Sequence, residues 1–194
     1  DPGMYFREQR WHSDAGKELY DQRDPEKARV LLKEAGYKGE PIVMITNTDY
    51  DYMYKAALVV YQQLKKAGMN IKPEVYDWPG ATTLRKDMSK WDLLFSSQST
   101  RFDPTANDFY FLPSTTIMAY DNPKAVELIE KGRTSLDFSE RYAAYSDLQK
   151  LVYEDVAIIR LFDLNLNEGY QEYVKGYVPW VIPHFWNVWL DKNS

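Results

Sequence analysis

Residues 41–95 read PIVMITNTDYDYMYKAALVVYQQLKKAGMNIKPEVYDWPGATTLRKDMSKWDLLF, and this stretch decides the fold. PIVMIT (41–46) is a short apolar run with the character of a buried strand. Thr48, followed three residues later by Asp51, has the form of a capping box. The helix it would open carries Met53, Ala56, Ala57, Val60 and Leu64 on one side before Gly68 stops it. NIKPEVYDW then sets Ile71, Pro73 and Val75 against Lys72, Glu74 and Tyr76. Proline has no amide proton to give a ladder, so this second strand is expected at a sheet edge. A short helix from about Pro79 to Met88 leads into a third strand, WDLLF (91–95). The order β-α-β-α-β is that of a parallel sheet with right-handed crossovers, which puts the chain in the α/β class.

The flanks are read outward from this unit. Residues 1–23 show little periodicity and are expected to form an irregular connecting segment. Asp24-Pro25 combines a capping carboxylate with a proline at the first helical position, and Ala28, Leu31, Leu32 and Ala35 share a face before Gly36. Asn122-Pro123 repeats that opening, with a helix expected to stop at Gly132. Asp137 and Glu140 suggest a second capping box before a long helix striped by Tyr145, Leu148 and Val152. AIIRLFDLNLNEGYQ (157–171) returns to strand character. The tail YVPWVIPHFWNVWL (177–190), rich in aromatics and proline, reads as an irregular strap. The expected division is therefore a connecting segment (1–23), an α/β lobe (24–176) and a C-terminal strap (177–194).

Composition narrows the function. Among 194 residues, 44% are apolar and 27% charged, which suits a globular fold. The net charge of −5, without a basic block, argues against a nucleic-acid partner. There is no cysteine, hence no disulfide, thiolate zinc site or cysteine nucleophile. With two histidines a histidine-rich metal site is not expected, and neither a P-loop nor G-x-G-x-x-G follows a strand, so no cofactor is expected either. No apolar run is long enough to span a bilayer. The start, DPGMYFREQRW, has neither the basic n-region nor the apolar core of a secretory signal and reads like the middle of a longer chain. Aromatics reach 15%, with 16 Tyr and 6 Trp; such residues build cores and also grip peptides or sugars.

Open parallel sheets gather ligands outside the carboxyl ends of their strands. Three loops set that edge here: 47–51, 77–80 and 96–113. Asn47, Ser97, Gln98, Ser99 and Thr100 offer neutral hydrogen-bonding groups, Tyr50, Trp78 and Phe102 offer stacking surfaces, and Asp49, Arg101 and Asp103 add charge. The structural alternative is that Thr48, Asp49 and Asp51 only cap while Asp103-Pro104 only turns. An α/β hydrolase lacks support, since no G-x-S-x-G occurs. A glycoside-active enzyme would need two flanking carboxylates, for which Asp77 and Asp103 are the loop candidates. His12 and His184 fall in irregular segments.

DPEKARVLLKEAGY, YKAALVVYQQLKKAGMNIKPEVYDW and WDLLF, in that order, and then YDNPKAVELIEKGRTSLDFSERYAAYSDLQKLVYEDVAIIRLFD with YVKGYV, resemble the C-terminal lobe of the bacterial extracellular solute-binding proteins of family 5. These serve oligopeptide, dipeptide and nickel ABC transporters. The resemblance covers nearly the whole chain from Asp24 and rests on the order and spacing of segments. It implies a periplasmic-binding-protein-like type II lobe, a mainly parallel sheet flanked by helices, outside the cytoplasmic membrane. It also implies closure with an N-terminal lobe over a solute, delivery to a permease, and no catalysis. From Tyr177 onward the chain would reach back to that first lobe. Peptide-binding members often carry an acid, at the position of Thr100, for a peptide amino group; dipeptide-type members can carry an arginine, at the position of Asn47, for the carboxylate. Neither charge is present, which favours a longer peptide, an oligosaccharide-like solute or another polar guest over a free dipeptide.

Overall fold

In a computed structural model, residues 3–99, 101–112, 120–165, 167–180 and 183–192 are described. The chain divides into two compact units, Asp1–Arg160 and Leu161–Ser194.

The first unit is built on three parallel strands, β1 (Ile42–Asn47), β2 (Ile71–Tyr76) and β3 (Leu93–Leu94), in the order β2-β1-β3. Strand β1 is central, and its last four residues are buried. Covered on both faces, it is a continuous apolar run and not an alternation. Pro73 lies opposite Met44 on the edge strand β2, where its missing amide proton costs no ladder bond. Helix α1 (Pro25–Glu34) precedes the sheet, while α2 (Asp51–Lys66) and α3 (Trp78–Leu84) make the crossovers. Met44, Ala57 and Ile71 form the core between sheet and helix, joined by Val60, Leu64, Leu93 and Phe95.

Helices α4 (Pro123–Thr134) and α5 (Phe138–Glu154) enclose a second core of Ala125, Leu128, Ile129, Tyr145, Leu148 and Val152. Asp24, Asn122 and Asp137 each accept an amide proton from the first turn of the helix they open. The capping box at Asp137 is only half closed, because Glu140 accepts from the Ser135 hydroxyl instead (2.7 Å). Residues 3–23 are irregular apart from a 3-10 turn at Lys17–Leu19, yet they are built into this core. Trp11 is buried in it, and the buried Gln149 donates to the carbonyls of Ser13 (3.0 Å) and Ala15 (2.8 Å) while accepting from the Met4 amide (2.9 Å).

Five details differ from the sequence reading. The Thr48–Asp51 box does not form, since α2 begins at Asp51 with Tyr50 as an unbonded cap. Helix α3 ends at Leu84, and only two residues of WDLLF are strand. Helix α4 runs through Gly132, because Tyr145 of α5 lies where a side chain would be. The described residues of 157–171 form no strand, having no strand partner in either sheet. A Cβ at Gly132 would stand 2.6 Å from Tyr145 Cε2. Gly132→Ala is therefore expected to destabilise by about 1–2 kcal/mol in urea unfolding, despite alanine's better helix propensity.

In the second unit β4 (Val174–Lys175) pairs antiparallel with β5 (Trp189–Leu190), so the tail contributes a strand to a small hairpin. Gly176 has φ 74°, and a Cβ there would lie 2.1 Å from the Asn187 carbonyl, which requires glycine. Tyr177 stacks on Phe185 with centroids 5.9 Å apart, while Trp186, Val178 and Trp189 remain exposed.

Candidate functional site

The carboxyl ends of the three strands bring their loops together. Asn47 lies opposite Tyr76, the Thr48 amide donates to the Tyr76 carbonyl (3.2 Å), and the Phe95 amide donates to the Ile45 carbonyl (2.9 Å). The first two loops are further stitched by Asp49, whose carboxylate accepts the Trp78 amide proton at 2.7 Å. Tyr50 and Trp78 then meet edge to face with centroids 5.1 Å apart, a favoured geometry for two ring quadrupoles. Tyr50 stays 38% exposed at this edge.

Asn47, a candidate ligand residue in the sequence reading, faces inward in the structure. It is fully buried; its Oδ1 accepts from the Tyr50 amide (3.0 Å), and its Nδ2 lies 3.2 Å from Met53 Sδ. Both ends of the amide are engaged in shaping the loop that presents Tyr50. Asp49 likewise positions Trp78. Ser97, Gln98 and Ser99 are exposed just beyond β3, and Thr100 lies outside the described residues.

The other end of the third loop is fastened to the helical layer. Gln9 Nε2 donates to the Arg101 carbonyl (2.8 Å) and Trp11 Nε1 to the Phe102 carbonyl (3.0 Å). Asp103 receives both of its oxygens' bonds from Arg141 Nη2 (2.8 and 2.9 Å) and accepts the Thr105 amide and hydroxyl as the cap of the 3-10 helix Pro104–Tyr110. Burial pushes this carboxyl up, but the Arg141 and Thr105 bonds outweigh it and hold the group below the ordinary aspartate value. An acid held ionised in this way is poorly suited to donate a proton. Asp77, the other carboxylate considered for catalysis, caps α3 by accepting the Gly80 amide proton (2.8 Å). The two acids are thus structural caps, and nothing here supports the hydrolytic alternative.

Beside Trp78 a shallow notch opens between α3 and the end of β3. Trp78, Ala81, Thr82 and Arg85 form its helical wall, at i, i+3, i+4 and i+7, and residues 94–96 form the opposite side. The Thr82 hydroxyl donates to the Trp78 carbonyl (2.7 Å). Arg85 Nε is shielded from solvent and has no hydrogen-bond partner among the described residues. Among the described residues no group of acids and histidines could hold a metal ion, and no helix is long and apolar enough to cross a membrane.

Comparison with known proteins completes the picture. The profile of the bacterial extracellular solute-binding proteins, family 5 (middle region), matches residues 4–120. A protein of Sinorhizobium fredii, named as a probable peptide ABC transporter periplasmic-binding protein, is 31% identical over 175 residues, covering 85% of this chain and 33% of its own length. Among solved structures, the oligopeptide-binding protein AppA of Bacillus subtilis in complex with a nonapeptide superposes with a TM-score of 0.72 at 17% identity, over 99% of this chain and 42% of that one. Haemophilus influenzae OppA in complex with the peptide RPPGFSPFR gives a TM-score of 0.69 at 20% identity, over 92% of this chain and 39% of that one. The chain thus spans about a third of the length of the curated relative it matches.

Proposed function

The chain belongs to the bacterial extracellular solute-binding proteins of family 5, and from that premise we propose that it forms one lobe of a two-lobed receptor that captures a peptide outside the cytoplasmic membrane and hands it to an ABC-transporter permease. The observation that carries this reading is the Asp49–Tyr50–Trp78 assembly at the carboxyl edge of the sheet, adjoining the exposed polar run 97–99. Flat rings, Tyr50 positioned by the buried Asn47 and Trp78 by Asp49, next to exposed hydroxyls and amides, suit an extended chain gripped through its backbone and side-chain faces. Closure by a first lobe would complete the enclosure, with solute stabilising the closed state. The residues beyond Tyr177, with their exposed rings, are the part we assign to contact with that first lobe. The names of the relatives support peptide as the solute. Asn47, where dipeptide-type members can carry an arginine, has no charge to offer, which favours a longer peptide over a dipeptide.

Calorimetry on the two-lobed protein with a mixed set of neutral nonapeptides tests the reading. Trp78→Ala is expected to weaken binding about tenfold, with a smaller fall in stability of about 1 kcal/mol from loss of the ring contact with Tyr50. Unaltered affinity in this variant would place the capture surface elsewhere.

A further inference from the structure

We propose that Gln9 and Trp11 are positioning residues of the capture rim: without touching the solute, they hold the loop after β3 in its binding shape by fixing the carbonyls of Arg101 and Phe102. The inference rests on the rim being the capture surface and adds what keeps that surface in order.

In the sequence, FREQRW (6–11) belongs to an irregular connecting segment. In the fold, two of its side chains converge on one loop. Gln9 Nε2 donates to the Arg101 carbonyl (2.8 Å), and Trp11 Nε1, two residues on, donates to the Phe102 carbonyl (3.0 Å). Asp103, the next residue of the loop, is taken by Arg141 of α5. The near end of the same loop is fixed to the sheet, where the Phe95 amide donates to the Ile45 carbonyl (2.9 Å). Between the two fixings lie the exposed Ser97, Gln98 and Ser99. A short span tied at both ends has less conformational freedom to lose when a solute orders it.

Both donors are themselves fixed. Gln9 Oε1 accepts from the Phe6 amide (3.2 Å), which identifies the other end of the side chain as the amino group that meets Arg101. The Gln9 amide donates back to the Phe6 carbonyl (2.9 Å) and closes the turn. Trp11 is 5% exposed, with the rings of Phe138 and Tyr145 at 4.9 and 6.0 Å and the Arg141 guanidinium 4.8 Å from its centroid. The guanidinium that holds Asp103 thus lies over the ring that holds Phe102. A buried indole needs some acceptor for its N–H wherever it sits. What sets this one apart is that Gln9, Trp11 and Arg141 converge on three successive residues of a loop whose other end is the rim.

The experiment uses the two-lobed protein and neutral nonapeptides free of Lys and Arg. Gln9→Glu keeps an acceptor for Phe6 but turns a carboxylate oxygen towards the Arg101 carbonyl, while Trp11→Phe keeps a ring and removes the proton. Each is expected to weaken binding about 3- to 10-fold in calorimetry. The Arg101 carbonyl supplies a second readout, because its peptide bond is the one trypsin cuts after Arg101, and cutting requires that bond to leave its fixed place. Cleavage there is expected to be about tenfold faster in both variants. Val152→Ala, in the buried core about 16 Å along α5 from Arg141, controls for lost stability and is expected to bind and to be cut after Arg101 as the unmodified protein is. Gln9 is half-buried and outside the core, so Gln9→Glu carries the test even where Trp11→Phe does not fold. Binding within about twofold of the unmodified protein in the variants overturns the proposal and leaves peptide capture standing. An equal loss of affinity in Val152→Ala also overturns it, since lowered stability then accounts for the effect. Weaker binding with unchanged cleavage after Arg101 overturns it as well. An unmodified protein that binds none of the nonapeptides overturns the capture reading and this inference with it.

Discussion

Arg133→Met is expected to destabilise the protein by about 2–3 kcal/mol in urea unfolding at neutral pH. Asp108 is 1% exposed and pairs with Arg133 Nε at 2.7 Å, with the Tyr145 hydroxyl 3.3 Å away as a further donor. Removing the guanidinium leaves a buried carboxylate with one neutral partner. The cost of such an orphan can reach about 3–5 kcal/mol, but Arg133 is 36% exposed and already partly screened by water, which lowers the figure. Asp108→Asn removes the charge itself and should cost less, about 1 kcal/mol. The pH dependence separates an orphaned charge from lost packing. Burial pushes the Asp108 carboxyl above the ordinary aspartate value, with the Arg133 bond opposing it. A group raised on folding takes up its proton earlier in the native state, so acidification through that raised value favours the native state. Without Arg133 the value rises further and the relief begins at higher pH. The gap between Arg133→Met and the unmodified protein should therefore narrow from pH 7 towards pH 5. A gap that stays constant over this range would assign the loss to packing.

How much of this was legible in the sequence depends on whether the information was local. Proline at the second strand placed it at an edge, and Asp24, Asn122 and Asp137 announced their helices, because each of these effects acts within a few residues. Gly132 reads as a helix stop by the same local logic, yet α4 continues through it, because what requires a glycine there is Tyr145 on another helix. The strand expected at 157–171 failed for the converse reason, since alternation specifies a strand only where another strand supplies the ladder. At the site, the meeting of Asn47, Asp49, Tyr50 and Trp78 followed from parallel topology and was readable. Their division of labour was not. Asn47 and Asp49 carry the polar groups that a sequence reader assigns to a ligand, but they spend them on the amides of Tyr50 and Trp78. Asp103 is spent on Arg141 in the same way, 38 residues along the chain. Under the proposed reading the aromatic faces are what the solute meets, while the acids and amides around them set their positions.

That arrangement leads to the largest expected effect. The 194-residue chain alone is expected to bind a neutral nonapeptide at least about 100-fold more weakly than the two-lobed protein in calorimetry. A well-held small ligand has some 70–90% of its surface covered, whereas the rim assembled here is a shallow, open notch with two rings and an exposed polar run beside it. The loss of translational and rotational freedom on binding is nearly the same for a half site as for a whole one. Halving the contacts therefore removes more than half of the net affinity, because that fixed cost is no longer offset twice over. The solute's stabilisation of the closed state is lost as well. Circular dichroism and a cooperative unfolding transition would establish that the isolated chain is folded before its affinity is compared. If the folded chain matches the two-lobed protein within tenfold, the contacts made at Tyr50, Trp78 and residues 97–99 are sufficient by themselves. Closure would then serve delivery to the permease and contribute little to capture.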